Sequence, residues 1–167
     1  AYIVDDPELE ITVIQDRAKT ACAARTSDQD GLCIFYDTAF TKQLQTEHRL
    51  NDLFEGSIKN RDFQVYLQPK IWIDSGKIGG AEALVRWMHP QQGIIYPSDF
   101  IPLFERNGKI CRLDLYVFEE VCKILARWRR EGKTLFPVSV NLSRLHFAVP
   151  GFLSAFKHIA DRYALPS

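Results

Sequence analysis

The chain has 167 residues, 46% of them hydrophobic, and its 21 lysine and arginine residues balance its 21 aspartate and glutamate residues. The apolar fraction excludes an intrinsically disordered chain and is enough for a sizeable core. The zero net charge argues against a general nucleic-acid binder, which usually carries a basic excess. It permits a small anionic ligand, because one arginine and a metal ion can hold a phosphate locally.

Cysteine usage and hydropathy bear on the compartment. The four cysteines, Cys22, Cys33, Cys111 and Cys122, form no CxxC pair, which gives little support to a zinc site. We expect buried, free thiols, as in a reducing cytoplasm. No apolar run approaches the ~20 residues of a membrane span, so we expect no membrane contact within this chain. The missing starting methionine and the strand-like start predict a piece of a longer protein.

The first sixty residues predict a small α+β region and a connecting helix. Tyr2 to Val4 and Leu32 to Tyr36 have strand patterns, and apolar residues from Leu9 to Cys22 recur at helical spacing. An intermittent apolar face then predicts a long helix with charged residues between its apolar positions. The predicted regions are residues 1–37, the connecting helix 38–60, and a second domain 61–167.

A hairpin opens the second domain. Phe63 to Ile73 is rich in β-branched and aromatic residues, and Asp74 to Gly76 supplies turn chemistry. A second strand follows from Lys77 to about Trp87. These two strands are therefore expected to be antiparallel neighbours.

Strands and helices alternate after the hairpin. Ser98 or Asp99 can cap a short helix that Gly108 ends, and an apolar stripe from Ile110 to Trp128 predicts a strong helix. Phe136 to Leu142 is a short buried-type strand, and Ser143 can cap the segment after it. A last helix is predicted between Phe152 and Tyr163. This order is typical of an α/β barrel or a layered sheet.

Two charges stand within the apolar run EALVRW. On a strand, Glu82, Leu84 and Arg86 share one face, and Glu82 and Arg86 lie about 13 Å apart, too far for a direct salt bridge. Each charge could pair with a different partner in a structural role. Alternatively, the carboxylate could bind Mg²⁺ or Mn²⁺ and the arginine could bind a phosphate. The pattern alone leaves both interpretations open.

Two further polar residues interrupt predicted strands. Asn141 lies near the end of VSVNLS, where its amide oxygen could bind a hard cation or could cap the next helix. Gln68 precedes Pro69, which indicates an edge strand or a bulge. A bulge could direct Gln68 at a ligand, and a plain edge irregularity would have no such role.

These segments together resemble the EAL domain of cyclic-di-GMP phosphodiesterases. The matching text is LQP at Leu67 to Pro69, GGAEALVRWMHP from Gly79 to Pro90, GIIYPSDFIPLFERNGKI from Gly93 to Ile110, and then LDLYVFEEVC and VSVNLS. The first fifty residues resemble the tail of a GGDEF domain, without the GG(D/E)EF signature itself.

The resemblance implies a partial TIM-like (β/α) barrel whose first strand runs antiparallel. It implies that Glu82 and Asn141 bind Mg²⁺ or Mn²⁺ and that Gln68, Leu84 and Arg86 contact cyclic-di-GMP. The implied reaction is metal-assisted hydrolysis to linear pGpG in a cytoplasmic bacterial signalling protein. The alternative is a degenerate EAL module that binds the dinucleotide or a protein partner without catalysis.

The family's catalytic lysine and remaining metal ligands are expected beyond Ser167. A complete barrel of this type takes ~250 residues, so we expect this truncated chain to be inactive by itself. An open barrel leaves a strand edge and an apolar face uncovered, and for that reason a homodimer is also expected.

Overall fold

The computed structural model describes residues 1–4, 6, 8–23, 36 and 38–165. The chain divides into two compact units, Ala1–Asp52 and Leu53–Ser167. The helices and strands, in chain order, are α1 (Ile11–Ala23), α2 (Thr38–Asn60), β1 (Phe63–Ile71), β2 (Ile78–His89), β3 (Gly93–Ile95), α3 (Pro97–Asn107), α4 (Lys109–Arg130), β4 (Val138–Val140), a 3₁₀ helix (Arg144–Ala148) and α5 (Phe152–Arg162).

The first unit contains α1 and the beginning of α2. Tyr2 to Val4, predicted as a strand, has no regular secondary structure. The Tyr2 ring instead packs edge-on against Tyr36, with centroids 5.5 Å apart, and the Arg17 guanidinium lies over both rings. Of the strand predicted from Leu32 to Tyr36, only Tyr36 is among the described residues.

The second unit is built on an open four-stranded sheet. β1 pairs antiparallel with β2, as predicted from the turn residues between them, and β4 pairs with β2 in parallel. The short strand β3, which the sequence did not predict, pairs antiparallel with the end of β2. An α/β architecture with an antiparallel first strand is therefore confirmed, and the open sheet agrees with part of a barrel.

One face of this sheet is covered by helices through an aromatic core. Its members come from α2, β1, β2 and α3 and have ring centroids 4.6 to 6.0 Å apart: Phe54, Phe63, Trp87, Phe100 and Phe104. The indole N–H of Trp87 donates to the Ser57 hydroxyl at 2.9 Å, so this buried donor is satisfied. Each such side chain contributes about 1.5 to 3 kcal/mol by burial.

The opposite face of the sheet is open. Tyr66 on β1 is 50% exposed, and its neighbours on β2, Glu82 and Leu84, are half-buried. Successive side chains along a strand point to opposite faces of the sheet. The even-numbered residues of EALVRW, Glu82, Leu84 and Arg86, therefore lie on this open face. The candidate site residues are therefore on the face that the interior of a barrel would use.

Several local predictions are refined or corrected. Neither Ser98 nor Asp99 caps α3, because the helix begins at Pro97 after the N-cap residue Tyr96. The αL conformation of Gly108 ends α3, as predicted, with φ of 78°. Ser143 does cap the 3₁₀ helix, its hydroxyl accepting from the Leu145 N–H at 3.4 Å.

The thiol environments differ from one another. Cys122 is buried, but Cys22 is exposed, so the expectation of buried thiols was wrong for that residue. Cys33 lies outside the described residues. Within the described part of the chain, no helix is both long enough and apolar enough to cross a membrane.

Candidate functional site

The sheet register brings four candidate residues close together. Gln68 on β1 lies directly opposite Glu82 on β2, and Glu82 lies opposite Ser139 on β4. Asn141 follows β4 by one residue, and Arg86 lies further along β2 in the same direction. Because β2 and β4 are parallel, Asn141 and Arg86 lie towards the carboxyl ends of these strands, where α/β barrels place their active sites.

Glu82 is the centre of the polar contacts on this face. Its Oε1 accepts a hydrogen bond from the Asn141 side-chain amide at 3.1 Å. Its Oε2 lies 3.7 Å from the Lys70 ammonium, which also donates to the Ser139 hydroxyl at 2.7 Å. No local partner for Glu82 was predicted, and Lys70 supplies one across the strand pair.

The Glu82–Lys70 pair is a weak structural interaction. The Lys70 side chain is 53% exposed and the Glu82 side chain 35% exposed, so water and salt screen their attraction. Such surface pairs contribute about 0 to 1 kcal/mol to stability. Stability alone therefore does not account for a carboxylate at this place in the sheet.

Arg86 and Leu84 line a cleft beside Glu82. The cleft has a volume of about 270 Å³ and lies between the end of β2, the end of β4, and helices α3 and α4. The Arg86 guanidinium donates to the Val85 carbonyl at 2.9 Å through one of its five N–H donors. The cleft thus combines the Arg86 guanidinium, the Asn141 amide, an apolar wall and the carboxyl groups of Glu105 and Asp114.

Gln68 is exposed on the edge of the sheet. In the described residues β1 pairs with β2 alone, which agrees with the edge position that Pro69 indicated. The register irregularity falls between Lys70 and Ile71, and Gln68 and Pro69 remain in register with Glu82 and Ala81. Gln68 therefore faces the open side by regular alternation, without the help of a bulge.

Glu82 and Asn141 fit a hard divalent cation as a pair of oxygen donors. The nitrogen and oxygen of a carboxamide are interchanged by a flip of the side chain, which would place the Asn141 oxygen next to the Glu82 carboxylate. Carboxylate and amide oxygens are the ligands that Mg²⁺ and Mn²⁺ prefer. Within the described residues, no group of three or more His, Cys, Asp and Glu side chains is placed so that it could hold a metal ion.

A buried polar network lies behind Asn141, and the sequence did not predict it. Asp114 on α4 accepts from the Ser143 backbone N–H at 2.8 Å and lies 3.0 Å from Nε2 of His146. The Ser143 hydroxyl donates to Glu105 on α3 at 3.2 Å. An acid at an otherwise apolar helix position was the one available signal, since Asp114 interrupts the buried stripe of α4.

Burial dominates the electrostatics of this network. Asp114 is 7% exposed, and its desolvation raises the pKa of the carboxyl above its usual value. The hydrogen bonds from Ser143 and His146 act in the opposite direction and lower that pKa. The carboxylate is therefore expensive to bury and is held by the two groups that it contacts.

The open α/β sheet agrees with part of a barrel, and one of its faces carries the Glu82 carboxylate, the Asn141 amide and the Arg86 guanidinium. Residues 50–167 match the EAL domain family, and the chain therefore belongs to that family.

Known relatives share this chain's sequence only over part of their length. It is 31% identical over 142 residues to the bifunctional diguanylate cyclase/cyclic di-GMP phosphodiesterase MucR of Pseudomonas aeruginosa, covering 85% of this chain and 21% of MucR. It is 33% identical over 151 residues to the cyclic di-GMP phosphodiesterase PdeR of Escherichia coli, covering 89% of this chain and 22% of PdeR.

A solved structure of the MucR phosphodiesterase in complex with c-di-GMP has a similar fold. It is 33% identical to this chain with a TM-score of 0.64, covering 70% of this chain and 47% of that one. This chain thus spans less than half of the solved phosphodiesterase and about a fifth of the two curated relatives.

Proposed function

We propose that the natural protein that carries this chain hydrolyses cyclic-di-GMP to linear pGpG. The observation that carries this proposal is the 3.1 Å contact between Glu82 and Asn141, which two parallel strands bring together beside the Arg86 cleft. Two relatives named as cyclic di-GMP phosphodiesterases support the choice of substrate. The proposal applies to the whole protein, because this chain spans only part of those relatives.

Glu82 and Asn141 would hold Mg²⁺ or Mn²⁺ in this site. When bound, the cation would lower the pKa of the attacking water and would neutralise negative charge on the phosphate. Glu82 contributes a charged oxygen ligand and Asn141 a neutral one. Both side chains sit on β-strand framework, at the end of β4 and within β2, which limits their movement.

Arg86, Leu84 and Gln68 would bind the dinucleotide. The planar guanidinium of Arg86 suits two oxygens of one phosphate. Leu84 offers an apolar surface next to it, and the Gln68 amide can both donate and accept hydrogen bonds at a base edge or a phosphate. All three lie on the open face of the sheet that also holds Glu82.

Dinucleotide binding without hydrolysis is a second candidate function. The Arg86 cleft, with its volume of about 270 Å³, has the cationic and apolar chemistry for recognition by itself. Two protein ligands hold a cation weakly, and further ligands and the catalytic lysine would have to come from residues outside this chain. For the same reason we propose that the isolated 167-residue chain is inactive.

The upstream region and the cellular setting are further proposals. We infer that residues 1–37 are the end of a GGDEF-like domain and that α2 connects it to the EAL domain. The match to MucR covers 142 residues, more than residues 50–167 contain, and so extends into this upstream region. We also propose a cytoplasmic location, where the nucleotide substrate is made.

An activity assay on the natural protein tests this proposal. It measures the release of pGpG from cyclic-di-GMP in the presence of Mn²⁺. Glu82→Gln should abolish turnover, and chelation with EDTA should do the same. The matched control is Glu55→Gln, which alters an exposed carboxylate that pairs with Arg112 away from the cleft. That control should retain wild-type turnover.

The two candidate functions give different outcomes. Turnover that depends on Glu82 supports the enzyme. Binding of cyclic-di-GMP that is lost in Arg86→Ala, with no turnover in the wild type, supports the binding module. Absence of both turnover and binding in the wild type would contradict both candidates.

A further inference from the structure

Asp114 is a buried acid whose hydrogen bonds all reach forward to one segment. Its Oδ2 contacts the Ser143 N–H at 2.8 Å and His146 Nε2 at 3.0 Å, and both groups follow β4. An acid on α4 with only a structural role could pair with a cation at the surface, as Glu120 does with Lys123. Asp114 instead fixes a main-chain amide two residues after Asn141.

Ser143, in the segment after β4, makes two hydrogen bonds to the helices and one within the segment. Asp114 holds the Ser143 N–H, Glu105 on α3 accepts from the Ser143 hydroxyl at 3.2 Å, and that hydroxyl also accepts from the Leu145 N–H at 3.4 Å. Consecutive Cα atoms are about 3.8 Å apart, so Ser143 can lie no more than about 7 Å from Asn141 along the chain. Fixing Ser143 therefore restricts where the Asn141 backbone can lie.

This restriction matters because ligand groups must be held closely. Functional side chains need to stay within about 0.5 Å of their working positions, and partners behind a ligand typically account for 10- to 100-fold in metal affinity. Asn141 itself is exposed, and its side-chain amide donates a single hydrogen bond to Glu82 at 3.1 Å. Its position thus depends on the backbone that carries it.

We propose that Asp114 is a positioning residue that sets the Asn141 side chain against Glu82 by anchoring the Ser143 N–H. This proposal rests on the function proposed above, because it takes Asn141 to be a cation ligand. His146 orients the same carboxylate oxygen, and its ring packs against Phe152 and Phe156 at centroid distances of 5.9 and 5.2 Å. Helices α3 and α4 are thereby connected to Asn141 through Glu105 and Asp114, which also line the Arg86 cleft.

The test measures Mn²⁺ affinity of the natural protein, without substrate, together with hydrogen exchange at the Ser143 amide. Asp114→Ala should weaken Mn²⁺ binding about 10-fold or more and speed exchange at Ser143. Asp114→Asn keeps an acceptor for the Ser143 N–H and should restore both values towards wild type. Val121→Ala, a buried substitution on the same helix, controls for general loss of stability and should leave Mn²⁺ affinity unchanged.

A second pair of variants removes the donor instead of the acceptor. Ser143 has φ of −68°, which proline can adopt, and Ser143→Pro replaces the N–H that Asp114 accepts with a ring carbon. Ser143→Ala deletes only the hydroxyl. Weaker Mn²⁺ binding in Ser143→Pro than in Ser143→Ala is expected, and this pair gives the answer if Asp114→Ala does not fold.

Each outcome bears on a definite statement. Suppose that the wild type binds Mn²⁺ through Glu82. If Asp114→Ala then binds Mn²⁺ as tightly as Val121→Ala, and Ser143→Pro as tightly as Ser143→Ala, the positioning role is overturned. The proposed function stands in that case. If wild type binds no more Mn²⁺ than Glu82→Gln, the proposed function fails and the positioning role fails with it.

Discussion

At the scale of single residues, Glu82 is placed between a neutral and a cationic neighbour. Asn141 contacts one of its oxygens at 3.1 Å, and Lys70 lies 3.7 Å from the other. If Glu82 binds the proposed divalent cation, the positive charge of Lys70 would repel that ion and weaken its binding.

Lys70→Gln should strengthen Mn²⁺ binding. A single and a double charge about 4 Å apart in water interact by about 2 kcal/mol, which corresponds to roughly a thirtyfold change in affinity. Titration calorimetry with Mn²⁺ measures this directly. The free energy of unfolding should change by less than about 1 kcal/mol because the pair is exposed. Lys59→Gln on α2 is the control, and weaker Mn²⁺ binding in Lys70→Gln would contradict the repulsion.

The cysteines should differ in reactivity. Burial, with the nearby Glu119 charge, raises the pKa of Cys122 from 9.0 to about 11, and Cys22 is exposed. At pH 8, iodoacetamide should label Cys22 and leave Cys122 unlabelled in the folded protein, as measured by mass spectrometry. Rapid labelling of Cys122 under native conditions would show that α4 is not packed as described.

The raised pKa of Cys122 also predicts how the stability of the protein depends on pH. The folded state holds the Cys122 proton more tightly than the unfolded state. Its contribution to stability is therefore fully present below about pH 9 and is lost as the pH rises towards 11. The free energy of unfolding, measured with urea, should fall more over this pH range for the wild type than for Cys122→Ala.

At the scale of elements, β2 connects the core and the site. Its odd-numbered residues, such as Ala81, Ala83 and Trp87, are buried under the helices, and its even-numbered residues carry the candidate ligands. The alternation predicted this division from sequence. Close contact with β4 depends on Gly80, where an added Cβ would lie 2.9 Å from the Pro137 carbonyl oxygen.

Gly80→Ala should destabilise the protein by about 1 to 3 kcal/mol, since backbone atoms of β4 would have to move apart from β2. Gly79→Ala is the matched comparison. Its added Cβ meets the indole of Trp72, an exposed side chain that can rotate away. Chemical denaturation of both variants measures the difference, and an equal loss in the two would contradict the close approach of β2 and β4.

The elements also show where sequence reasoning stopped. The hairpin, α4 and α5 were predictable because turn residues and helical periodicity act locally. Strand β3 was missed because its three residues, Gly93 to Ile95, form a strand only by pairing with the end of β2. Likewise Tyr2 to Val4 has a strand pattern but no regular secondary structure, and the Tyr2 ring packs against Tyr36.

At the scale of the whole molecule, the candidate site was partly predictable. The resemblance to the EAL family implied Gln68, Glu82, Leu84, Arg86 and Asn141 as site residues, and the alternation of β1 and β2 puts the first four on one face, with the Asn141 amide in contact with Glu82. Lys70 and Asp114 were not predicted, because their roles arise from contacts between residues far apart in sequence. The Lys70–Ser139 bond spans 69 positions and the Asp114–Ser143 bond spans 29.

The open sheet predicts association of the isolated chain. Tyr66, Ile71 and Ile78 on β1 and β2 are 50%, 51% and 55% exposed, and the free edge of β1 can pair with another strand. Light scattering coupled to size exclusion should show a dimer for the 167-residue chain. Tyr66→Lys on the open face should shift it towards monomer, whereas Ile11→Lys on α1 should not. A monomeric wild type at micromolar concentration would contradict this prediction.

The central claim is that Glu82, within β2, and Asn141, just after β4, together hold one divalent cation. The most direct measurement is anomalous diffraction from crystals of the natural protein grown with Mn²⁺ and cyclic-di-GMP. We predict a manganese peak bonded to both the Glu82 carboxylate and the Asn141 amide oxygen, with Arg86 on a phosphate. A manganese peak elsewhere, or dinucleotide bound in the cleft with the Glu82–Asn141 contact intact and no metal, would contradict the account.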